Sequence, residues 1–357
     1  MGIQSLTNAL DYFFLISTSV FLALGSIGVF REVFLLLGMA NAITALGYKL
    51  IQNGRIEIPR HFLLYTIFLL VLLIHTWLME GNFMFFWLFL SGALFWIEVH
   101  NFQNLFLQYF IPTLIILGFL MGLTYFYSLS SPINLPNLVS LFSAPTNLIK
   151  HSDIGDLWAV VLTLIFYLLS KKRPYFYIPL IILGGYFLTI SYSRSALVSL
   201  TIGILYIFQK SESQKKLKKI LVFFLLGIGV LFIYAGMSKT VLLSRPYFLQ
   251  AIVGVIQYPL GTGMGNFTHV SSGSNLVHNI ILEVFSGMGI FSVVFIVWLY
   301  KVLRSLFTTR NTNIEATAIY LAVLTNFCFN TTYTIPTFVW LWFVSLGLTQ
   351  GGQQRSV

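Results

Sequence analysis

Three short groups of residues in the second half of the chain carry side chains able to do chemistry. Ser193, Arg194 and Ser195 stand between two apolar runs, Arg245 opens a separate segment, and His278 with Asn279 precedes an apolar run that holds Glu283. An arginine in or near a bilayer costs at least ~2.5 kcal/mol unless paired or hydrated. Arg194 is therefore a functional candidate, with snorkelling to the interface as its alternative, and Arg245 is a second, with a solvated loop charge as its alternative. A guanidinium offers a fork of donors that matches phosphate oxygens. An imidazole with an ordinary pKa of about 6.5 can take up a proton at neutral pH. His278 is thus a candidate general base beside a plain structural reading, and Asn279 would support it. Glu283, a carboxylate inside an apolar run, could orient that base or pair with an arginine. Glu32, Glu80, Asp153 and Asp156 are further carboxylates that could replace His278 as base.

Between Ser238 and His278 there is no Asp or Glu, which argues against a carboxylate-held divalent metal in that stretch. A basic, carboxylate-free surface suits a phosphate-bearing lipid instead. No metal and no cofactor is expected. His75 and His100 lie in or beside apolar runs near aromatics and read as packing or interfacial residues. The single cysteine, Cys328, can form no internal disulfide and reads as packing.

The elements that must hold these residues follow from composition. Of 357 residues 57% are hydrophobic and 8% charged, against about 25% charged in ordinary soluble domains. The excess apolar surface must face lipid. Runs of about 20 apolar residues cross a bilayer as helices, and the chain reads as an all-α polytopic membrane protein of about twelve spans, in one domain over 1–357. They fall near 11–30, 33–50, 62–79, 83–99, 105–127, 157–170, 175–193, 195–209, 220–237, 279–300, 316–335 and 337–349. No Lys or Arg precedes Arg31, so the first span lacks the basic leader of a cleaved signal and is expected to stay in place.

The net charge of +10 is explained by position. Lys49, Arg55 and Arg60 form one cluster, Lys171, Lys172 and Arg173 a second, Lys210 and Lys215 to Lys219 a third, and Lys301, Arg304 and Arg310 a fourth. With twelve spans all four share one side, which the positive-inside rule assigns to the cytoplasm together with both termini. Arg194, Arg245 and His278 then face outward. Nucleic acid is not a partner this pattern calls for.

Two outward connections are long, 128–156 and 238–278, and long loops usually carry function. In the second, Ser244 and Pro246 read as the start of a helix. Tyr247 to Tyr258 reads as a short amphipathic helix with Tyr247, Phe248, Ile252, Val253 and Ile256 on the membrane interface and Gln250 and Gln257 in water. Gly261, Gly263 and Gly265 suit a tight turn. Asn266 and the absence of a βαβ context rule against a dinucleotide fingerprint, and no internal repeat is visible.

Taken in order, Ser193-Arg194-Ser195-Ala196, Arg245, Tyr258-Pro259-Leu260-Gly261-Thr262-Gly263-Met264-Gly265-Asn266-Phe267, and His278-Asn279 followed by Gly289 resemble the O-antigen ligase and O-antigen polymerase family. The resemblance covers roughly 157–349. It implies a GT-C type membrane glycosyltransferase using an undecaprenyl-diphosphate-linked glycan donor. It also implies diphosphate binding by Arg194 and Arg245, a general base at His278, an outward-facing site, and a glycan, lipid A core or other hydroxyl as acceptor. The family's ligase pattern continues after the glycine with two residues and then Gly, Thr or Tyr; this chain departs from it at Ser292. A transporter or lipid flippase for cell-surface glycan precursors, and a metal-dependent GT-C enzyme, are the rival readings. The metal-dependent class would need an acidic pair in the first outward connection, where the chain has Arg31-Glu32.

Overall fold

A computed structural model of the protein describes residues 3–25, 31–130, 151–170, 177–191, 193–210, 246–267, 276–309 and 312–350. Arg245, the expected span 220–237 and most of the second and third basic clusters lie outside them. Among the described residues the regular structure is entirely helical. The helices are α1 (Ile3–Leu24), α2 (Arg31–Asn53), α3 (Phe62–Leu78), α4 (Phe83–Asn101), α5 (Gln103–Ser130), α6 (His151–Ser170) and α7 (Ile178–Ser191). They continue with α8 (Arg194–Lys210), α9 (Pro246–Gln257), α10 (Ile280–Met288), α11 (Val293–Thr308), α12 (Ile314–Phe329) and α13 (Pro336–Gln350). A 3₁₀ turn, Gly289–Ser292, joins α10 to α11, and another, Thr331–Thr334, lies between α12 and α13.

The stretches Thr7–Leu24, Glu32–Asn53, Phe83–Asn101, Ser152–Leu169 and Ile280–Thr308 are long and apolar enough to cross a membrane. Five such helices among the described residues fit an α-helical membrane protein but not the expected count of about twelve spans. For four of the expected spans the reason is length. Helices α3, α7, α12 and α13 are apolar, but they run for 17, 14, 16 and 15 residues. At 1.5 Å per residue they reach roughly 21 to 26 Å, short of a hydrocarbon core of roughly 30 Å. The expected span 316–335 stops at Phe329, because Asn330 and the following Thr-Thr-Tyr-Thr turn away from the helix.

Apolar residues occupy the outside as well as the inside. On α3, Leu63, Ile67, Leu70, Ile74 and Trp77 are exposed, while Tyr65, Phe68, Leu69, Leu72, His75 and Thr76 face inward. A helix apolar all round is what lipid requires. The core is built on α13, whose described side chains are buried. Trp340 stacks on Phe95 at 4.7 Å between ring centres and donates its indole N–H to Ser91 Oγ at 2.8 Å. It fits because Gly38 and Gly25 leave room, since a Cβ added to either would stand 2.9 or 2.7 Å from its ring. Phe343 lies against Gly92 in the same way. Small residues admitting large neighbours are the usual basis of helix association in membranes, where the hydrophobic effect cannot drive it.

One set of polar side chains between helices is linked into a chain. Ser17 donates to Asn41 Oδ1 at 2.7 Å, Asn41 to Thr18 Oγ1 at 2.9 Å, and Thr18 to Glu98 Oε1 at 2.6 Å, which ties α1, α2 and α4 together around a fully buried carboxylate.

Hydrogen bonds also sort the connections into two ends. At one end Asn82 N donates to Met264 O, Asn279 to Cys328 O, Asn330 to Asp156 and Thr337 to Leu22 O. At the other, Lys49 pairs with Asp11, Asn101 bonds the main chain of Glu57, and Gln103 bonds Leu348 O. His61, just before α3, is held below its usual pKa by burial first and then by Arg60 and Lys301, so residues of the first and fourth basic clusters meet at this second end.

Replacing Gly92 by Val drives two methyl groups at the Phe343 ring and is expected to destabilise by about 1 to 3 kcal/mol. Gly47→Ala, where nothing lies within 4 Å of the added Cβ, is expected to be neutral or mildly stabilising. Thermal unfolding of both variants in detergent checks the contrast.

Candidate functional site

Arg194 is the first residue of α8, and its two neighbours fix where it starts. Ser193 Oγ and Ser195 Oγ each lie 2.7 Å from Asp156 Oδ1 and 2.8 Å from one another. Ser193 also caps the helix, accepting from Ala196 N at 3.2 Å. Asp156 is fully buried near the start of α6, and its second oxygen accepts from Asn330 Nδ2 at 2.6 Å. Asn326 Nδ2 donates to the Asp156 carbonyl at 3.2 Å. Gly155 allows the approach, because a Cβ there would collide with Ser191 and Ser193. The arginine is half-buried, held between two anchored serines.

His278 is positioned by a second buried carboxylate. Glu283, in the first turn of α10, accepts from Gly265 N at 3.0 Å through one oxygen and from Val277 N at 2.9 Å through the other. Tyr333 reaches the second oxygen at 3.4 Å and also meets the His278 main-chain amide. Burial first, and then the Glu283 carboxylate, push the Tyr333 phenol well above its usual pKa, so it remains a donor. His278 has φ 61°, a left-handed conformation uncommon outside glycine. Asn279 then caps α10, accepting from Ile281 N at 2.9 Å and Leu282 N at 3.0 Å, and its Nδ2 donates to Cys328 O at 2.8 Å. The result is an exposed imidazole on a fixed main chain, immediately before a helix N-terminus.

The glycine turn belongs to the same assembly. Gly261, Gly263 and Gly265 have φ of 89°, 88° and 79°. Thr262 N and Gly263 N donate to Ser286 O and Gly287 O, and Ile290 N donates to Pro259 O. The turn is thus laid against the end of α10. Gly289, at φ 55°, ends that helix where a Cβ would run into Pro259 O. Ser292, the residue at which the sequence pattern departs, donates its hydroxyl to Gly289 O at 2.6 Å and so satisfies the broken turn. His75 keeps its structural reading. Its Nε2 lies 2.7 Å from Leu260 O, which can only accept, so that nitrogen carries the proton.

Arg194 and the His278 group are therefore joined through one corner. Cys328 O and Tyr333 hold the histidine side, and Asn330 holds the arginine side. The structure bears on three of the carboxylates weighed from the sequence. Glu283 is bonded to main-chain amides and a tyrosine, which is an orienting role. Asp156 is not an outward-facing substitute base, because it is buried and already engaged by Ser193, Ser195 and Asn330. Asp153 is buried as well. The amphipathic helix is present as α9, with Ile252, Val253 and Ile256 exposed and Gln257 in the open, whereas Gln250 is half-buried. Asn330 and Tyr333 were not among the expected residues. Their signal was available: Asn-Thr-Thr-Tyr-Thr is a polar island inside a stretch read as one continuous span.

Among the described residues no three His, Cys, Asp or Glu side chains are grouped so as to hold a metal ion. No protein-family model matches the chain, and no curated protein matches it.

Because both oxygens of Glu283 accept from amides, a glutamine must aim its NH₂ at one of those donors. Glu283→Gln is expected to destabilise by about 1 to 3 kcal/mol, measured by unfolding in mixed micelles. Stability equal to wild type would remove Glu283 from the framework that holds His278.

Proposed function

We propose that the chain is a membrane glycosyltransferase of the O-antigen ligase or polysaccharide polymerase kind. It would move a glycan from undecaprenyl diphosphate to an acceptor hydroxyl on the external face of the cytoplasmic membrane, with both termini cytoplasmic. The observation that supports this reading is the common anchorage of a half-buried arginine and an exposed histidine on the corner 328–333. In this mechanism Arg194, with Arg245, binds the diphosphate and stabilises the charge that grows on it as it leaves. Electrostatic stabilisation of that kind is often the largest catalytic contribution. His278 takes the proton of the acceptor hydroxyl, the freed oxygen attacks the anomeric carbon, and the bond from that carbon to the diphosphate oxygen breaks with inversion. Asn279 and Glu283 position the histidine. Neither proton transfer nor departure of the diphosphate calls for a metal or cofactor in this scheme.

A transporter or flippase for glycan precursors is the second reading, and one observation favours it. Glu98, Thr18, Asn41 and Ser17 form a buried polar cluster between α1, α2 and α4, and ionisable groups inside membrane helices commonly mark a substrate or ion path. A purified assay separates the two, since only the transferase forms a glycosidic bond without a second compartment.

His278→Asn is the informative variant, because Asn tolerates the left-handed main chain. Turnover is expected to fall by about 10² or more while donor binding survives. Near-normal turnover would place the base elsewhere. Arg194→Lys, which loses the bidentate fork, is expected to weaken donor binding as well as turnover; unchanged binding would detach Arg194 from the diphosphate. Orientation is checked in a Cys328→Ser background with an impermeant thiol reagent on intact cells. Tyr258→Cys is expected to label and Arg55→Cys is not, and the opposite result would invert the protein in the membrane.

A further inference from the structure

At the end of the bundle away from His278 a cavity of about 620 Å³ opens between α1, the end of α2 and the junction of α4 with α5. That volume lies within the ~300 to 1,000 Å³ typical of small-ligand sites. Its charged lining is built from pairs. Lys49 is only 8% exposed, and its Nζ stands 3.1 Å from Asp11 Oδ1, 2.8 Å from Gln52 Oε1 and 4.3 Å above the Phe102 ring. On the outer side Arg55 Nη2 stands 3.9 Å from Glu57 Oε1, with the arginine side chain 80% exposed. Asn101 fixes this wall, accepting from Glu57 N and donating to Glu57 O, both at 2.9 Å. The Nδ1 of His100, also in the lining, is buried and has no hydrogen-bond partner among the described residues.

Each cation has its own carboxylate, so the lining is close to neutral, and a ligand carrying both signs matches it better than one with a net negative charge. Leu50, Ile51 and Ile58, within two positions of cavity residues in the sequence, are exposed apolar side chains of the kind that border lipid. We infer that this cavity binds a zwitterionic headgroup that carries a phosphate and an ammonium, supplied by a membrane phospholipid. The phosphate meets Arg55 and Lys49, the ammonium meets Glu57 and Asp11, and the acyl chains leave past Ile51 and Ile58. The site is separate from the corner 328–333 and does not depend on the proposed transfer reaction.

The test uses delipidated full-length protein in detergent and native mass spectrometry with dihexanoyl-phosphatidylethanolamine and dihexanoyl-phosphatidylglycerol as probes. One saturable site for the ethanolamine lipid is expected, about tenfold tighter than for the glycerol lipid, and weakened about tenfold by Arg55→Ala and by Glu57→Gln, the loss expected for a charge-assisted hydrogen bond. Arg55 is exposed, so its variant is expected to fold, and an unchanged thermal transition confirms it. Soluble glycerophosphoethanolamine is the competitor: displacement means the headgroup alone suffices, whereas no displacement with Arg55-dependent lipid binding assigns the intact lipid. Equal affinity for the two lipids, or Arg55→Ala binding like wild type, overturns the proposal.

Discussion

A carboxylate buried at the end of a helix bundle needs donors for both oxygens, and Asp156 finds them on separate elements. Ser193 and Ser195 come from the start of α8 and Asn330 from the corner after α12. Removing such an acceptor would strand several donors at about 1 to 3 kcal/mol each, so these elements are bound to a common geometry. Glu283 repeats the device with main-chain amides from two separate segments. In the irregular backbone at this end the amides of Thr262, Gly263, Gly265, Val277 and Ile290 are satisfied internally, a condition that a membrane setting enforces more strictly than water does.

The two carboxylates meet at the corner 328–333, which is short and polar and lies between two largely buried helices. Through it the positions of Arg194 and His278 depend on neighbouring residues of one short segment, Asn330 on the first side and Cys328 and Tyr333 on the second. Catalytic groups need placement to within about 0.5 Å on supports that are themselves locked, and the corner gives the proposed pair supports of that kind. The glycine turn adds a close main-chain approach against α10 that Gly261, Gly287 and Gly289 permit.

Much of this was legible in the sequence, for reasons that can be named. The apolar runs predicted helices because composition left no other fold, and Pro246 and the glycines predicted a short helix followed by a turn. Asn279 was legible as a partner of His278, though its work proved to be capping α10 and gripping Cys328 O. What was not legible was long-range pairing. Nothing near Asp156 in the chain says that its partners lie 37, 39 and 174 positions away, so it was read as an external carboxylate that could replace His278 as base. Glu98 was passed over for the same reason, since its partner Thr18 is on another helix. The expected span count exceeds the five helices long enough to cross among the described residues, because hydropathy marks an apolar run without giving the length of the helix it forms.

The central claim is that the corner couples the two halves of the site. The most direct test is a double-mutant cycle on unfolding free energy in mixed micelles with Asn279→Ala, which cuts the tie to Cys328 O, and Asn330→Ala, which cuts the tie to Asp156. If one corner holds both, the first cut loosens what the second would break, and a coupling of about 1 kcal/mol or more is predicted. Additivity to within about 0.5 kcal/mol would mean that the arginine and histidine sides are held independently, and would contradict the account.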